Sequence, residues 1–270
     1  MLRPGLLGSH HTLQRYPVRE PLTPYVEWFW AVSWDLPDRT RQPAPVLSHP
    51  CVHATLEGDA GTRHGHRLPA ALVHGVVTRR FETELSGRGW VVGARFRPGG
   101  FAALTGLDAA ELTDRAVRFD AAGSPGAAAS MAALDGALRT ASEDARIEAL
   151  ATWWEGLVPE AADASYAVVA ALVGDVAADR TVVSVEALAR RHGLSTRSVQ
   201  RLVRWYVGVP PTWLIRRYRL QDALAELQAD PSTDLAALAT SLGWYDQAHF
   251  TRDFRAAVGQ PPATYLRTLR

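Results

Sequence analysis

A spacing pattern that occurs twice near the end of the 270-residue chain limits what the last third can fold into. In the first copy, Ala189 is followed by Gly193 four positions later, by Val199 after ten and by Leu202 after thirteen. The second copy, with one extra residue in the turn, consists of Ala239, Gly243, Phe250 and Phe254. A small residue lets two helices cross closely, a glycine turns the corner, and the apolar residues pack the second helix onto the first. Two copies of a weak motif are far more specific than one, so the pattern predicts two helix-turn-helix units.

The second helix of each unit has a polar side that packing does not require. Ser184 and Ser195 are predicted to cap the two helices of the first unit, and Asp246 to cap the second helix of the second unit. The residues predicted to face inward in the first unit are Val199, Leu202, Val203 and Tyr206. The outward residues are Arg197, Gln200, Arg201 and Arg204 in the first unit, and Ala248, Thr251, Arg252 and Arg255 in the second. These surfaces are either solvated basic faces or faces that bind an anionic polymer.

A helix that is apolar on almost every side is predicted between the two units. It begins after Pro210-Pro211, runs from Thr212 to about Gln228, and is expected to lie wedged between two packed bodies. At ~1.5 Å per residue it is roughly 26 Å long. The separation of two exposed helices at its ends would be close to the ~34 Å between successive major-groove openings on one side of B-DNA.

The charge of the chain is divided unevenly, although the net charge is only +1. After Arg180 there are 12 Arg and 7 acidic residues, and up to that residue there are 17 Arg and 21 acidic residues. A basic terminal region on a near-neutral chain is typical of nucleic-acid contact. The single cysteine, Cys51, and the absence of a secretory signal pattern favour a reducing cytoplasm, and no apolar run approaches the roughly 20 residues of a membrane span.

The carboxy-terminal third resembles the DNA-binding domain of AraC/XylS-type transcriptional regulators. The segments that carry the resemblance are VEALARRHGLSTRSVQRLVRWYVGVPPTWLIRRYRLQDAL and LAALATSLGWYDQAHFTRDFRAAVGQPPATYL. The resemblance implies that a helix of each unit enters the major groove, with Arg197, Gln200 and Arg201 reading bases in the first and Gln247, Ala248, Thr251 and Arg252 in the second. Arginine suits guanine and glutamine suits adenine, whereas Arg204 and Arg255 are expected to meet phosphate. Ala248 departs from this pattern, because a methyl group can contact only a thymine methyl.

The first half is predicted to be rich in β-strands. Val26, Trp28, Trp30, Val32 and Trp34 alternate along one predicted strand. Further strands are expected at 46–56 and 71–77, followed by a hairpin in which Phe81, Thr83 and Leu85 oppose Trp90, Val92, Ala94 and Phe96, and by a short helix from Phe101 to Leu104. The segments HPCVHATLEGD, HGVVTRRFETELSGRGWVVGARFRPGGFAALTG and ELTDRAV resemble the uncharacterised amino-terminal domain of many actinobacterial regulators. That resemblance implies a cupin-like barrel that senses a small molecule or pairs subunits.

Two chemical interpretations of this half remain open. Trp28, Trp30, Trp34, His53 and Arg95 are candidates to line a pocket for a flat apolar ligand, against the alternative that the tryptophans fill the core. The imidazole and thiol groups of His49, Cys51, His53, His64 and His66 could hold zinc or copper, which would make the chain a metal-binding enzyme or metal sensor. A carboxylate expected shortly after the His-x-His is replaced by Pro69, Ala70 and Ala71. Without a visible nucleophile–base pair or phosphate loop, we predict a chain that is not an enzyme and needs no cofactor or bound metal.

The predicted organisation is an α+β chain of three parts. Residues 1–125 form the cupin-like regulatory domain, residues 126–180 a helical connector, and residues 181–270 the DNA-binding domain. The connector contains predicted helices at 130–141, 143–157 and 165–178, and the apolar side made by Ile147, Leu150, Trp154 and Leu157 either joins subunits or covers the barrel. The partners expected are double-stranded DNA, a small-molecule effector, RNA polymerase and a second copy of the chain, with no membrane.

Overall fold

The computed structural model describes residues 11–37, 40–46, 49–58, 61–119, 136 and 142–269. The amino-terminal half is built mainly from strands, as predicted. The strands are β1 (His11–Tyr16), β2 (Val26–Asp35), β3 (Arg41–Val46), β4 (His53–Gly58), β5 (Thr62–Arg63), β6 (His66–Arg67), β7 (Ala70–His74), β8 (Phe81–Ser86), β9 (Arg88–Phe96) and β10 (Ala116–Arg118).

Six of these strands form one antiparallel sheet in the order β1-β2-β9-β4-β7-β10. Two short ribbons, β3-β8 and β5-β6, accompany it. Within the described ranges β1 and β10 are the two edges of this sheet, so strand pairing does not close it. The β-rich domain is therefore confirmed, whereas the barrel within that prediction is not.

The sheet has an apolar face and a polar face. Because side chains alternate along a strand, Phe29, Ala54, Ala94 and Phe96 share the apolar face. These residues belong to a continuous buried hydrophobic cluster, which we call the main core. The opposite face, which we call the polar face, carries the side chains of Trp28, Trp30, Trp34, His53, Thr55, Glu57, His74 and Arg95.

The predicted alternation of β2 is correct for its tryptophans and wrong for Val26. The pairing of β2 with β9 shifts between Val26, which lies opposite Phe96, and Trp28, which lies opposite Arg95. A bulge adds one residue and so reverses the faces of the residues before it. Val26 consequently lies in the main core with Phe29.

The predicted hairpin of β8 with β9 is wrong. β8 pairs with β3 in the separate ribbon, whereas β9 pairs with β2 and β4 in the large sheet. Only Gly87 separates the two strands, and its φ of 54° turns the chain from one sheet into the other. The strand predicted at 46–56 is likewise divided between β3 and β4, and the one predicted at 71–77 is the shorter β7.

The first helix follows β9, and the others except a 3-10 helix follow β10. The helices are α1 (Gly100–Thr105), α2 (Glu143–Glu155), α3 (Ala164–Ala178), α4 (Val185–Arg191), α5 (Thr196–Val207), α6 (Pro211–Ala229), α7 (Leu235–Ser241), α8 (Gln247–Val258) and α9 (Pro262–Arg267), with a 3-10 helix at Ala109–Leu112. The predicted helix at 130–141 lies almost wholly outside the described residues. None of the helices in the described ranges is long and apolar enough to cross a bilayer.

The apolar side of α2 covers the sheet of its own chain. Leu150 and Trp154 are fully buried in the main core, and the Trp154 ring lies 4.7 Å from that of Phe96. Ile147 is buried in the same core and Leu157 is half-buried against it, so in this structure that side of α2 covers the sheet.

The first helix-turn-helix unit shares the main core with the β-rich domain. Residues from the sheet, from α2 and α3, and from α4 and α5 belong to one continuous buried cluster. The Tyr166 ring stacks between Tyr25 at 5.7 Å and Tyr206 of α5 at 6.2 Å. At the end of α5, the Thr113 hydroxyl donates to the Gly208 carbonyl oxygen at 2.6 Å. The first unit is thus packed together with the β-rich domain.

The second unit has a core of its own, and α6 belongs to both. Leu214 and Ile215 near its beginning lie in the main core, whereas Leu224 and Leu227 near its end lie in the second core with Phe250 and Phe254. This confirms the prediction of a helix wedged between two packed bodies. At ~1.5 Å per residue its 19 residues span roughly 28 Å.

Two buried arginines tie α6 to its surroundings, and the sequence pattern did not predict them. Arg219, which is 1% exposed, donates to the Asp179 carbonyl oxygen at 2.7 Å and to the Val176 carbonyl oxygen at the end of α3. Carbonyl groups at a helix end lack intrahelical partners, so the guanidinium satisfies them and complements the helix dipole. Arg217 donates to the Thr78 carbonyl oxygen at 3.2 Å, which joins α6 to the β-rich domain.

Candidate functional site

The first helix-turn-helix unit has the predicted local geometry. The Ser184 and Ser195 hydroxyls each accept a backbone hydrogen bond at 3.1 Å, from Ala187 and Ser198 respectively. Gly193 between the helices has a φ of 64°, in the left-handed region that glycine enters without steric cost. The residues predicted to face inward, Val199, Leu202, Val203 and Tyr206, are all buried. The cap, the turn and the apolar stripe together fix which side of α5 faces solvent.

That outer side of α5 carries the predicted reading residues. Arg197, Gln200, Arg201 and Arg204 are all exposed. Within the described part of the chain, none of the three arginines forms an ion pair with a carboxylate. Guanidinium groups arranged in this way are available to a polyanion, because no internal partner must be displaced.

The second unit repeats this construction. The Asp246 carboxylate accepts the His249 backbone N–H at 2.6 Å, and Gly243 has a φ of 86°. The backbone N–H of Trp244 donates to the Ala239 carbonyl oxygen at 2.9 Å, the same distance as the matching bond from Leu194 to Ala189. The predicted inward residues Phe250 and Phe254 are fully buried, while Gln247, Ala248, Arg252 and Arg255 are exposed and Thr251 is half-buried. Thr251 is thus the least accessible of the predicted readers.

Tyr245 is a surface residue that the sequence interpretation missed. Its side chain is 91% exposed, directly before the Asp246 cap of α8. The signal for it was the one-residue lengthening of the second turn, which places an aromatic side chain outside the apolar stripe. Tyr245 adds a hydroxyl and a ring to the same end of α8 that carries Gln247.

The five candidate pocket residues share the polar face of the sheet, but they do not have equal exposure. Trp28 and Trp30 are half-buried, whereas Trp34 is 4% exposed and packs with Leu85 and Val91 as a core residue. The core-filling alternative therefore holds for Trp34. A Cβ atom at Gly93 would lie 2.8 Å from the Trp30 ring, so the glycine makes room for that side chain.

His53 and Arg95 lie opposite each other on β4 and β9. Arg95 pairs with Glu27 at 3.0 Å and its guanidinium carbon lies 4.2 Å from the centre of the Trp28 ring. Burial, followed by the positive charge of Arg95, lowers the pKa of His53 to about 3. This part of the polar face therefore presents a neutral imidazole and a cation among aromatic rings near neutral pH.

Helix α6 borders this region. The Gln221 amide nitrogen lies 3.1 Å from the His49 ring nitrogen Nδ1. Burial raises the pKa of the Tyr218 hydroxyl, and the nearby Cys51 and Glu27 raise it further. The helix that enters both cores therefore also contacts the segment leading into β4.

The predicted metal set of His49, Cys51, His53, His64 and His66 does not come together among the described residues. His49 is engaged with Gln221, Cys51 lies 3.5 Å from His53, and His66 hydrogen-bonds the Ala116 carbonyl oxygen at 3.0 Å. Cys51 and His53 are therefore neighbours, whereas His49 and His66 have hydrogen-bond partners outside the set. His64 instead lies with Glu57 and His74, and the three ligand atoms are all within 4.8 Å of one another.

Two segments of the chain match known protein families. Residues 14–118 match a family described as a domain of unknown function (DUF6597), and residues 188–268 match a family described as a helix-turn-helix domain. No curated protein sequence matches the chain.

Several solved structures are similar to the chain. A probable AraC family transcriptional regulator from Rhodopseudomonas palustris is 28% identical over 37% of this chain and 94% of that chain, with a TM-score of 0.34. The C-terminal domain of AraT, a response regulator from Geobacillus stearothermophilus, is 22% identical over 37% of this chain and 84% of that chain, with a TM-score of 0.34. ToxT from Vibrio cholerae is 10% identical over 96% of this chain and 98% of that chain, with a TM-score of 0.42.

The two family matches cover separate parts of the chain. The helix-turn-helix match begins within α4 and ends after α9, so it includes both units and the helix between them. Residues 188–268 are therefore a helix-turn-helix domain, residues 14–118 are a DUF6597 domain, and the chain is a DNA-binding transcriptional regulator.

Proposed function

We propose that the chain recognises its operator with the exposed sides of α5 and α8, one in each of two successive major grooves. The observation that carries this proposal is the outward set of Arg197, Gln200, Arg201 and Arg204 on a helix whose other side is buried. Paired donors of arginine fit the O6 and N7 acceptors of guanine, and glutamine fits adenine. The roughly 28 Å length of α6 supports a spacing close to one turn of B-DNA.

The two helices differ in the side chains they offer to bases. The α5 side presents three long readers, Arg197, Gln200 and Arg201, whereas the α8 side has the short Ala248 and the half-buried Thr251 beside Arg252. Longer side chains with paired donors discriminate between bases more strongly than a methyl group does. We therefore assign most of the sequence discrimination to α5, and phosphate contacts to Arg204, Arg255 and Tyr245.

Replacing Arg201 by alanine is expected to weaken binding to the operator about 10-fold to 100-fold and to relax specificity at one base pair, because a bidentate contact is worth about 1–3 kcal/mol. Replacing Arg252 by alanine should relax specificity less. The measurement is fluorescence anisotropy with a fragment of the chain's own promoter region and its single-base variants at fixed salt. An equal or larger loss of discrimination in Arg252→Ala would refute the assignment to α5.

We further propose that the amino-terminal domain binds a small-molecule effector on the polar face of its sheet, near Trp28, Trp30, His53 and Arg95. Arg15 and Arg95 both lie over the Trp28 ring, at 4.6 Å and 4.2 Å, and a half-buried aromatic surface with these guanidinium groups suits a flat ligand that carries an acidic group. Because α6 borders this region and enters both cores, an effector that favours one position of α6 would change how α8 is presented relative to α5. We also propose that the chain pairs with a second copy of itself, contacts RNA polymerase and acts in the cytoplasm.

Genome-wide mapping of bound sites would identify neighbouring genes, and the compounds that those genes handle can be screened by thermal unfolding. An effector present at 100 times its dissociation constant is expected to stabilise the chain by about 2.7 kcal/mol. Trp30→Ala should lose this stabilisation, because its ring lies on the polar face beside His53 at 6.0 Å. Trp90→Ala is the matched control. Trp90, on β9, is half-buried like Trp30, but its ring lies on the apolar face of the sheet, against Arg146. Equal responses of the two variants would place the ligand elsewhere.

A further inference from the structure

Three side chains with metal-binding atoms converge at one end of the polar face. Glu57 comes from β4, His74 from β7, and His64 from the turn between β5 and β6. Their ligand atoms all lie within 4.8 Å of one another. Glu57 is buried, and the two histidines are half-buried, so the group lies at the boundary between the domain interior and solvent.

The β5-β6 ribbon holds His64 in place. His64 and Gly65 have φ values of 51° and 81°, so both central residues of this two-residue turn are left-handed, as a type I′ turn requires. The turn sets the His64 ring 4.8 Å from the His74 ring, at an interplanar angle of 84°. A histidine in this backbone conformation is uncommon, and here it directs the imidazole towards a second imidazole and a carboxylate.

We propose that Glu57, His64 and His74 bind a single divalent transition-metal ion. Zinc accepts two histidines and one glutamate and leaves a fourth position open for water or another ligand. The mixed nitrogen and oxygen set suits zinc, cobalt(II) or iron(II) better than copper(I), which prefers sulfur.

The observed distances are close to those that a metal requires. Ligand atoms about 2.0–2.2 Å from a tetrahedral ion are separated by about 3.3 Å, and the centres of two coordinating imidazoles by about 5 Å. The His74 Nε2 to Glu57 Oε1 distance is already 3.0 Å, and the His64 and His74 ring centres are 4.8 Å apart. The other pairs of ligand atoms are at most 4.8 Å apart, so a shift of about 1.5 Å would bring them to the separation that a metal requires. The His64 side chain, on a two-stranded ribbon, can make such a shift.

The surroundings of Glu57 resemble the support that metal ligands usually have. The Thr55 hydroxyl donates to Glu57 Oε1 at 2.9 Å, and Arg63 donates to Glu57 Oε2 at 2.9 Å. Hydrogen bonds of this kind orient a ligating carboxylate. The positive charge of Arg63 opposes a second cation, so the competing interpretation is a buried network of Arg63, Glu57 and His74 that holds the strands together without a metal.

The test uses the full chain, treated with a chelator and then titrated with zinc in competition with a chromophoric chelator, and separately with cobalt(II). We expect one equivalent of zinc to bind, and cobalt(II) to give the visible absorption of a low-coordinate nitrogen and oxygen site. His64→Asn should weaken zinc binding at least about 100-fold, because it removes a direct ligand. Asparagine tolerates the left-handed conformation at this position, so the variant is expected to keep its fold.

His66→Asn is the matched control, since it removes an imidazole from the same ribbon without removing a proposed ligand, and its zinc affinity should equal that of the parent chain. The proposal is overturned if the parent chain binds no zinc at micromolar free metal, or if His64→Asn and His66→Asn bind alike. It is also overturned by a thiolate-to-cobalt charge-transfer band, which would assign Cys51 to the site. DNA plays no part in these measurements, so their outcome is independent of operator recognition.

Discussion

Replacing Trp154 with alanine is expected to lower the free energy of unfolding by about 3–5 kcal/mol, because truncation of a buried tryptophan removes apolar contacts and leaves a cavity. The side chain is fully buried. Its ring lies 4.7 Å from that of Phe96, 6.0 Å from that of Phe101 and 5.6 Å from that of Phe119. Chemical denaturation followed by circular dichroism measures the change.

Tyr245→Ala is the matched control for this prediction. It also removes a large aromatic side chain, but one that is 91% exposed, so its effect on stability should stay within about 0.5 kcal/mol. A loss of less than about 1 kcal/mol for Trp154→Ala would mean that α2 is not a fixed part of the core.

The expected loss extends beyond the β-rich domain, because the core does not end there. Trp154, Val169 and Tyr206 belong to the same buried cluster, which joins the sheet, the connector and α5. The first helix-turn-helix unit should therefore melt together with the β-rich domain. The second unit, whose core contains Phe250 and Phe254, is the part that can respond separately.

Local sequence signals were sufficient for the helix-turn-helix domain. Ser195, Gly193 and Val199 determine a cap, a turn and a buried stripe within a few residues of each other, and each acts through neighbours in the chain. The exposed side of α5 then follows from geometry, since residues three and four apart share a side of a helix. The same reasoning placed the exposed side of α8, with Tyr245 as the omission.

Contacts between distant segments explain what the sequence could not predict. The bulge after Val26 and the pairing of β8 with β3 depend on strands that are far apart in the chain, so alternation alone does not determine them. The buried Arg219 has an interior position because its partners are carbonyl groups at the end of α3. Arginine is expected on the surface unless it has a partner, and the sequence alone does not show the partners of Arg219.

The candidate metal group shows the same limit. Histidines and a cysteine close together in the sequence suggested His49, Cys51 and His53, but neighbours in sequence need not share a site. Glu57 and His74 are 17 residues apart and meet because β4 and β7 are paired strands. The metal-site pattern would place a carboxylate shortly after His64-Gly65-His66. In the fold, the carboxylate beside His64 is Glu57, which comes from the earlier strand β4.

The simultaneous replacement of Arg197 and Arg201 by alanine should abolish sequence-specific binding while leaving the fold intact. Two bidentate base contacts are worth about 2–6 kcal/mol together, which corresponds to a loss on the order of 30-fold to 10,000-fold in operator affinity. Both side chains are exposed, so the free energy of unfolding should change by less than about 1 kcal/mol.

The control for this pair is a variant with the same loss of charge at a distance from α5. Arg67 on β6 and Arg88 on β9 are exposed, and replacing both by alanine removes two positive charges from the β-rich domain. If α5 only attracted phosphate, Arg197→Ala with Arg201→Ala would lose affinity for operator and for unrelated DNA to a similar extent, with shallower salt dependence, and the Arg67 and Arg88 variant would lose less of both. Base recognition predicts that only Arg197→Ala with Arg201→Ala reduces the ratio of operator affinity to unrelated-DNA affinity. That ratio, measured at the same salt concentration for both variants, separates a surface that reads bases from one that attracts phosphate.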